Sequence, residues 1–299
     1  MTLHPPPPAE AAIDAPLVRA LLREQHPDLA ALPLTDGRAG WDNQVYRLGD
    51  TLAVRLPRRE AAASLIVREQ QWLSHLAPHL PLPVPAPTRA GRPGCGYPWS
   101  WSIVPWFEGD SGTAASLDTV PSAEALGRFL RALHQPAPPD APLNPWRGVP
   151  LPSRTPAMMD YLTRLGTRVD TGHVRAAWER LVRTPPWSAP PVWIHGDLHP
   201  GNLIVSDGRV SAVIDFGDLA AGDPATDLAL AWMAMSSSTR QVFRDAARSE
   251  AGPVDDDTWT RARGWALALG VAFVAHARSD PQFEALGLAT IDAVLSEQT

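Results

Sequence analysis

The spacing of apolar residues changes period several times along the chain, and each change marks an element. Between Ala15 and Glu24, Leu17, Val18, Leu21 and Leu22 form one helical stripe. Gln44–Leu48 alternates and Thr51–Leu56 is β-rich, so both read as strands. The helical period returns over Ser64–Leu76, with Leu65, Ile66, Trp72, Leu73 and Leu76 on the stripe. Ser100–Phe107 reads as a strand, and Ser122–His134 as a helix capped by Ser122 with Leu126, Phe129, Leu130 and Leu133 buried. Thr155–Asp170 and Gly172–Arg183 are amphipathic helices. The next stretch is the densest. An apolar run, Val192–Ile194, leads into a polar loop, His195–Asn202, and then into two β-branched runs, Leu203–Ser206 and Arg209–Asp215, around Asp207-Gly208. Asp-Gly between such runs signals a tight hairpin, because both central residues take positive φ. A Gly222-Asp223-Pro224 turn then opens a helix over Asp227–Met235, and helices follow at Thr258–Ala277 and Pro281–Ser296. Two segments, Ala77–Trp99 and Gln135–Ser153, are too rich in proline to be helical.

Composition narrows the classes of function. A length of 299 residues with 44% hydrophobic content suits a two-lobed domain or two small ones. The net charge of −6 argues against a nucleic-acid partner, while permitting a cationic substrate. Cys95 is the single cysteine, so no intrachain disulfide can form; this suits a reducing cytoplasm and an inert loop thiol. The start of the chain shows neither the basic region nor the apolar run of a signal peptide, and Pro5–Pro8 reads as an extended lead. The longest apolar run, Trp265–Ala275, is about half of a membrane span, so no membrane association is expected. There is no lysine; all 26 basic residues are arginine.

The chemistry gathers in the hairpin stretch. Asp197, Asn202 and Asp215 offer two carboxylates and an amide with no cysteine nearby, a hard-oxygen set suited to Mg²⁺ carrying phosphates. His195-Gly196-Asp197, four residues and Asn202, followed by Asp215-Phe216-Gly217, is the spacing of the kinase catalytic and metal loops. The variant here, HGDLHPGN followed by IDFGD and GDPATDLA, resembles the aminoglycoside phosphotransferase family, which includes macrolide and choline-type small-molecule kinases. Protein kinases usually carry Arg where Gly196 stands, and the chain lacks their A-P-E segment.

The resemblance implies an α+β, bilobal, protein-kinase-like fold. A small β-rich N-lobe over residues 1–107 would hold a five-stranded sheet and a helix, and a larger, mainly helical C-lobe would occupy residues 108–299. It also implies site residues in the first lobe. Gly40, Trp41 and Asn43, within GRAGWDNQVYRLG, would form the phosphate loop, although the full G-x-G-x-x-G is absent. Arg55 stands where kinases place a phosphate-holding Lys, and Glu69, fourteen residues on, would pair with it. The run VRLPRR looks like that of macrolide kinases, with Arg58 and Arg59 solvated or on the rim. Backbone groups from Val104 to Trp106 would meet the purine, and Glu108-Gly109-Asp110 would begin the crossing.

In the second lobe, Asp197 would be the catalytic base, and Asn202 and Asp215 the Mg²⁺ ligands. Asp223, Asp227 and His195 would brace the loop, and His134 would be structural. His199 would pack the loop or take a second catalytic role, and Asp218 would face either metal or acceptor. Asp255-Asp256-Asp257 would complement a helix dipole or form an acidic rim for a cationic acceptor. The implied function is that of a cytoplasmic, ATP- or GTP-dependent small-molecule O-phosphotransferase, monomeric or homodimeric, acting on an aminoglycoside, macrolide or nucleoside-type antibiotic. The alternatives are a metabolic kinase of choline, sugar or amino-alcohol type, and an inactive nucleotide-binding module. An acidic acceptor cleft would favour aminoglycosides. One lined by Trp146, Trp232, Trp259 or Trp265 would favour large neutral ligands.

Overall fold

The computed structural model describes residues 8–35, 37–248, 254–277 and 280–297; Pro5, Pro6 and Pro7 of the expected extended lead lie outside them. The described residues fall in two compact units. One lies within Met1–His79, Pro83–Glu108 and Ile214–Gly217, the other within Leu80–Leu82, Gly109–Val213 and Asp218–Thr299. The short insert Ile214–Gly217 carries Asp215, so this carboxylate groups with the first unit.

The first unit is built on α1 (Ala15–Gln25), β1 (Arg38–Ala39), β2 (Asn43–Leu48), β3 (Leu52–Pro57), α2 (Glu60–Leu76), β4 (Arg89–Gly91) and β5 (Trp101–Pro105). Its sheet is antiparallel in the order β1-β2-β3-β5-β4. Proline at the start of α1 costs no hydrogen bond, and the Asp14 carboxylate accepts from the Leu17 N–H. The α1 stripe, Val18, Leu21 and Leu22, packs with Tyr46, Leu48, Val54, Leu56, Trp101 and Ile103 of the sheet. Because β3 is central, Arg55 is held from both sides, opposite Val45 on β2 and Ser102 on β5.

The second unit contains β6 (Asp110–Ser111), α3 (Ala114–Leu117), α4 (Val120–Leu133), α5 (Thr155–Leu165), α6 (Thr171–Leu181), β7 (Val192–Ile194), β8 (Leu203–Ser206), β9 (Arg209–Val213), β10 (Ala220–Gly222), α7 (Ala225–Leu228), α8 (Leu230–Ala234), α9 (Ser237–Ala247), α10 (Asp256–His276) and α11 (Pro281–Ser296). The expected hairpin is β8–β9, with φ of 51° at Asp207 and 71° at Gly208. Helix α10 is buried on most sides, with Trp265, Leu267 and Val271 fully covered. Among the described residues no helix is long and apolar enough to cross a membrane.

Several boundaries depart from the sequence reading. Helix α4 is capped by Thr119, whose hydroxyl accepts from the Ser122 N–H, so Ser122 sits inside the first turn. Helix α5 stops at Leu165 rather than Asp170, because Gly166 leaves the helical region with φ of 54°. The helix expected from Asp227 begins at Ala225 and divides into α7 and α8. Strand β10, which was not expected and ends at the first residue of the Gly222-Asp223-Pro224 turn, pairs with β7. Helix α9 was not expected; its Phe243 and Ala247 are buried.

Candidate active site

In the first unit the candidate site begins with an ion pair. The Arg55 guanidinium donates to both Glu69 oxygens, at 2.6 and 3.3 Å, and its NH2 lies 3.9 Å from Asp215 Oδ1. Arg55 is 7% exposed and Glu69 not at all. Burial pulls the Arg55 pKa down, but Glu69, then Asp215, outweigh it and leave the pKa above its ordinary value. A planar fork suits a carboxylate engaged through two nitrogens, which one ammonium could not match. Asp215 has a φ of 64° and keeps 58% of its side chain exposed.

The glycine-bearing hairpin is tied down by the two arginines that follow β3. Asn43 C=O accepts from the Gly40 N–H at 2.8 Å. Arg58 donates its backbone N–H to Asp42 C=O and its guanidinium to Gly40 C=O, while Arg59 pairs with the Asp42 carboxylate at 2.8 Å. Arg58 is 8% exposed, which corrects the expectation of a solvated residue: two carbonyls at the hairpin need donors, and Arg58 supplies them. Trp41 is exposed at the tip, and Asn43 Oδ1 is buried without a hydrogen-bond partner among the described residues. Val104 is buried in β5 opposite Ala53. The Trp106 N–H already donates to Thr51 C=O, so it is not free for a purine.

In the second unit Asp197 sits on a loop held from below. Asp227, fully buried, accepts from the His195 N–H at 2.7 Å and the Gly196 N–H at 2.9 Å, and lies 3.1 Å from His134 Nε2. Gly196 has a φ of 85°, and a Cβ there would come 2.5 Å from the Asp218 carbonyl oxygen. The loop therefore has no room for the Arg of protein kinases. His195 Nδ1 accepts from the Asp197 N–H. The Asn202 amide donates to the Asp197 C=O at 2.8 Å and reaches toward Asp197 Oδ2 at 3.4 Å, which leaves its Oδ1 turned away from these acceptors. His199 accepts from the Gly201 N–H through Nδ1, sits edge-on to Phe273 and Phe283, and has Nε2 3.7 Å from Asp197 Oδ2.

The proline-rich loop 135–153, of which the sequence reading singled out only Trp146 as a possible acceptor contact, supplies three further members. Arg147 donates to Asp197 Oδ1 at 3.1 Å. Asn144 Oδ1 accepts from the Trp146 and Arg147 N–H groups, and its amide donates to Asp218 at 2.8 Å. Gly148, with φ of 65°, donates to Thr226 Oγ1 and accepts from the Asp223 N–H. Asp223 is itself gripped by the buried Arg261 at 2.7 Å. The available signal was Asn144-Pro145, a turn-initiating pair. Nothing local announced that the turn faces the catalytic loop.

The pKa of Asp197 reflects opposed effects. Desolvation pushes it up; His199, Arg147 with its hydrogen bond, and His195 pull harder and leave it below the ordinary carboxylate value. Asp255 caps α10, accepting from the Thr258 N–H, and Asp256, fully exposed in the first turn, lies 3.6 Å from Arg244 of α9. Trp232, Trp259 and Trp265 are buried, whereas Trp146 is 62% exposed and lines a cavity of about 360 Å³. Asp215 and the Asn202 amide oxygen are hard donors of the kind Mg²⁺ takes, so the residues present fit that ion.

The model of the phosphotransferase enzyme family matches residues 34–265. An aminoglycoside 3'-phosphotransferase from Escherichia coli is 28% identical over 112 residues, 36% of this chain and 41% of that protein. One from Salmonella typhimurium is 30% identical over the same shares. The matched stretch thus spans about 41% of the length of these curated relatives. Among solved structures, the macrolide 2'-phosphotransferase MphH from Brachybacterium faecium superposes with a TM-score of 0.64 at 22% identity, covering 96% of this chain and 99% of that one. The GDP complex of aminoglycoside 2'-phosphotransferase-IIIa gives 0.69 at 16% identity, covering 95% and 99%. At these identities the likeness establishes the kinase-like fold, with its small antiparallel-sheet part and larger helical part.

Proposed function

The chain belongs to the phosphotransferase enzyme family, and from that premise we propose that it transfers the terminal phosphoryl group of ATP or GTP to a hydroxyl of a small molecule. The observation that carries the reading is the loop around Asp197. Its carboxylate is kept ionised by Arg147 and His199, and its backbone is pinned by Asn202 and Asp227. Asp197 accepts the acceptor's proton as the new O–P bond forms and the bond to the leaving nucleoside diphosphate breaks.

Arg55, positioned by Glu69, holds phosphates of the donor. Gly40, Trp41 and Asn43 cover them, and the Val104–Trp106 segment receives the base through groups other than the Trp106 N–H. Asp215 and Asn202 would each supply an oxygen to Mg²⁺, which when bound would neutralise charge on the transferred phosphoryl group. Aminoglycosides and macrolides, after which these relatives are named, are the first acceptors to test. The donor and the single thiol suit the cytoplasm.

Mass spectrometry of an antibiotic and metabolite panel incubated with ATP or GTP and Mg²⁺ tests this. Wild type should add one phosphoryl group to at least one acceptor. Asp197→Asn should lose transfer while still binding nucleotide. Nucleotide binding with no acceptor phosphorylated by wild type would instead support a binding module.

A further inference from the structure

The cavity beside the catalytic loop carries a charge pattern that the names of the relatives do not suggest. Its lining is Trp146, Arg147, Arg154, Ala157, Tyr161 and Asp218, all within the second unit. Arg147 links the cavity to the candidate base, since its NH2 donates to Asp197 Oδ1. Asp218 receives the Asn144 amide. Arg154 is different: its guanidinium lies over the Trp146 ring at 5.6 Å and makes no ion pair or hydrogen bond among the described residues. Arg154 is partly desolvated and repelled by Arg147, and both effects lower its pKa. A guanidinium in that position has five donors in a fixed fork and a stacked face, with an anion's place left open. Asp160, on the helix that follows Arg154, is already paired with Arg164, so this carboxylate does not neutralise Arg154.

We infer that this cavity is an anion subsite for the acceptor, in which Arg154, with Arg147, binds a carboxylate or phosphate group while the Trp146 ring stacks on the adjoining part of the molecule. The assignment of the bound molecule as acceptor rests on the phosphoryl-transfer reading; the anion subsite does not. A polyamine sugar would bring an ammonium group against the Arg154 guanidinium, whereas an acidic acceptor would satisfy Arg154 and leave its hydroxyl beside Asp197. The carboxylate in the lining, Asp218, already accepts from the Asn144 amide.

The test uses three probes with one phenol ring and different charge: para-hydroxyphenylacetate, its methyl ester and tyramine. Each is titrated calorimetrically into the full chain without nucleotide. The acid should bind about tenfold or more tightly than the ester, as expected for a charge-assisted contact, and tyramine should be weakest. Arg154→Ala, checked for an unchanged melting temperature, should remove the preference; Arg154→Lys should retain part of it.

Equal or tighter binding of tyramine, no detectable binding of the acid, or an acid affinity untouched by Arg154→Ala would each overturn the subsite. The same probes with ATP, GTP and Mg²⁺ separate the two readings. Selective acid binding with no transfer to any acceptor leaves the subsite standing and the kinase reading failed. Transfer confined to cationic acceptors does the reverse.

Discussion

At the scale of the residue, this chain shows what a protein does when arginine is its only strong cation. Among the described residues, Arg55, Arg58, Arg240 and Arg261 are less than a tenth exposed, and each is engaged through several nitrogens or with backbone carbonyls. Arg261 alone binds Asp223, the Pro185 carbonyl and Thr258. Lysine could not satisfy such a set, so Arg261→Lys should destabilise the chain by about 2 kcal/mol in urea unfolding. Glu69→Ala leaves a buried guanidinium short of its main partner and should cost about 3–5 kcal/mol by the same measurement. For Asp197 the sign is set by its lowered pKa. A base of this kind works while ionised, so the acid limb of kcat/KM should lie below the ordinary carboxylate value of about 3.9. Arg147→Ala removes a charge and a hydrogen bond while the desolvation remains, so the limb should move up in pH, read from the pH–rate profile.

At the scale of the element, the catalytic loop owes its shape to contacts made by its neighbours. Gly196 is held at positive φ against the Asp218 backbone, and Asp227 at the start of α7 takes two of the loop's N–H groups. Gly196→Ala should therefore lose about 2 kcal/mol of stability through local strain, and transfer activity with it, checked by thermal melts beside the mass-spectrometric assay. Helix α10 offers a simpler case. Asp255→Ala removes the cap that accepts from the Thr258 N–H and should cost about 1 kcal/mol, with little effect on activity.

At the scale of the whole molecule, the cited shifts act in one direction with pH. His26 has its pKa lowered by burial, so the unfolded chain takes up its proton first as pH falls below about 6.5, and stability declines there. Asp118, Asp197 and Asp255 also have lowered pKa values. For Asp118 and Asp255, desolvation opposes the shift, and hydrogen bonds from Thr239 and Ser236, or from Thr258, overcome it. Their contribution is present above the unfolded value of about 3.9 and is lost as pH falls through their folded values. Urea unfolding free energy should thus fall in two stages, gently below about pH 6.5 and steeply below about pH 4; His26→Asn should remove the first stage.

Local chemistry alone determined much of this protein. The alternating and helical periods located most elements, and Asp-Gly at 207–208 set the hairpin because few other pairs accept two positive φ angles. The spacing of Asp197, Asn202 and Asp215 indicated phosphoryl transfer because Mg²⁺ and phosphate demand hard oxygens. Short-range patterning does not encode which distant loops meet. The Arg147–Asp197 contact joins residues 50 positions apart, and the Arg261–Asp223 contact joins residues 38 apart. Nor does short-range patterning encode the burial of Arg58, which follows from two hairpin carbonyls that take its donors. The charge lining the cavity was set only when the proline-rich loop 135–153 folded beside Asp197, because a charge acquires meaning from what surrounds it.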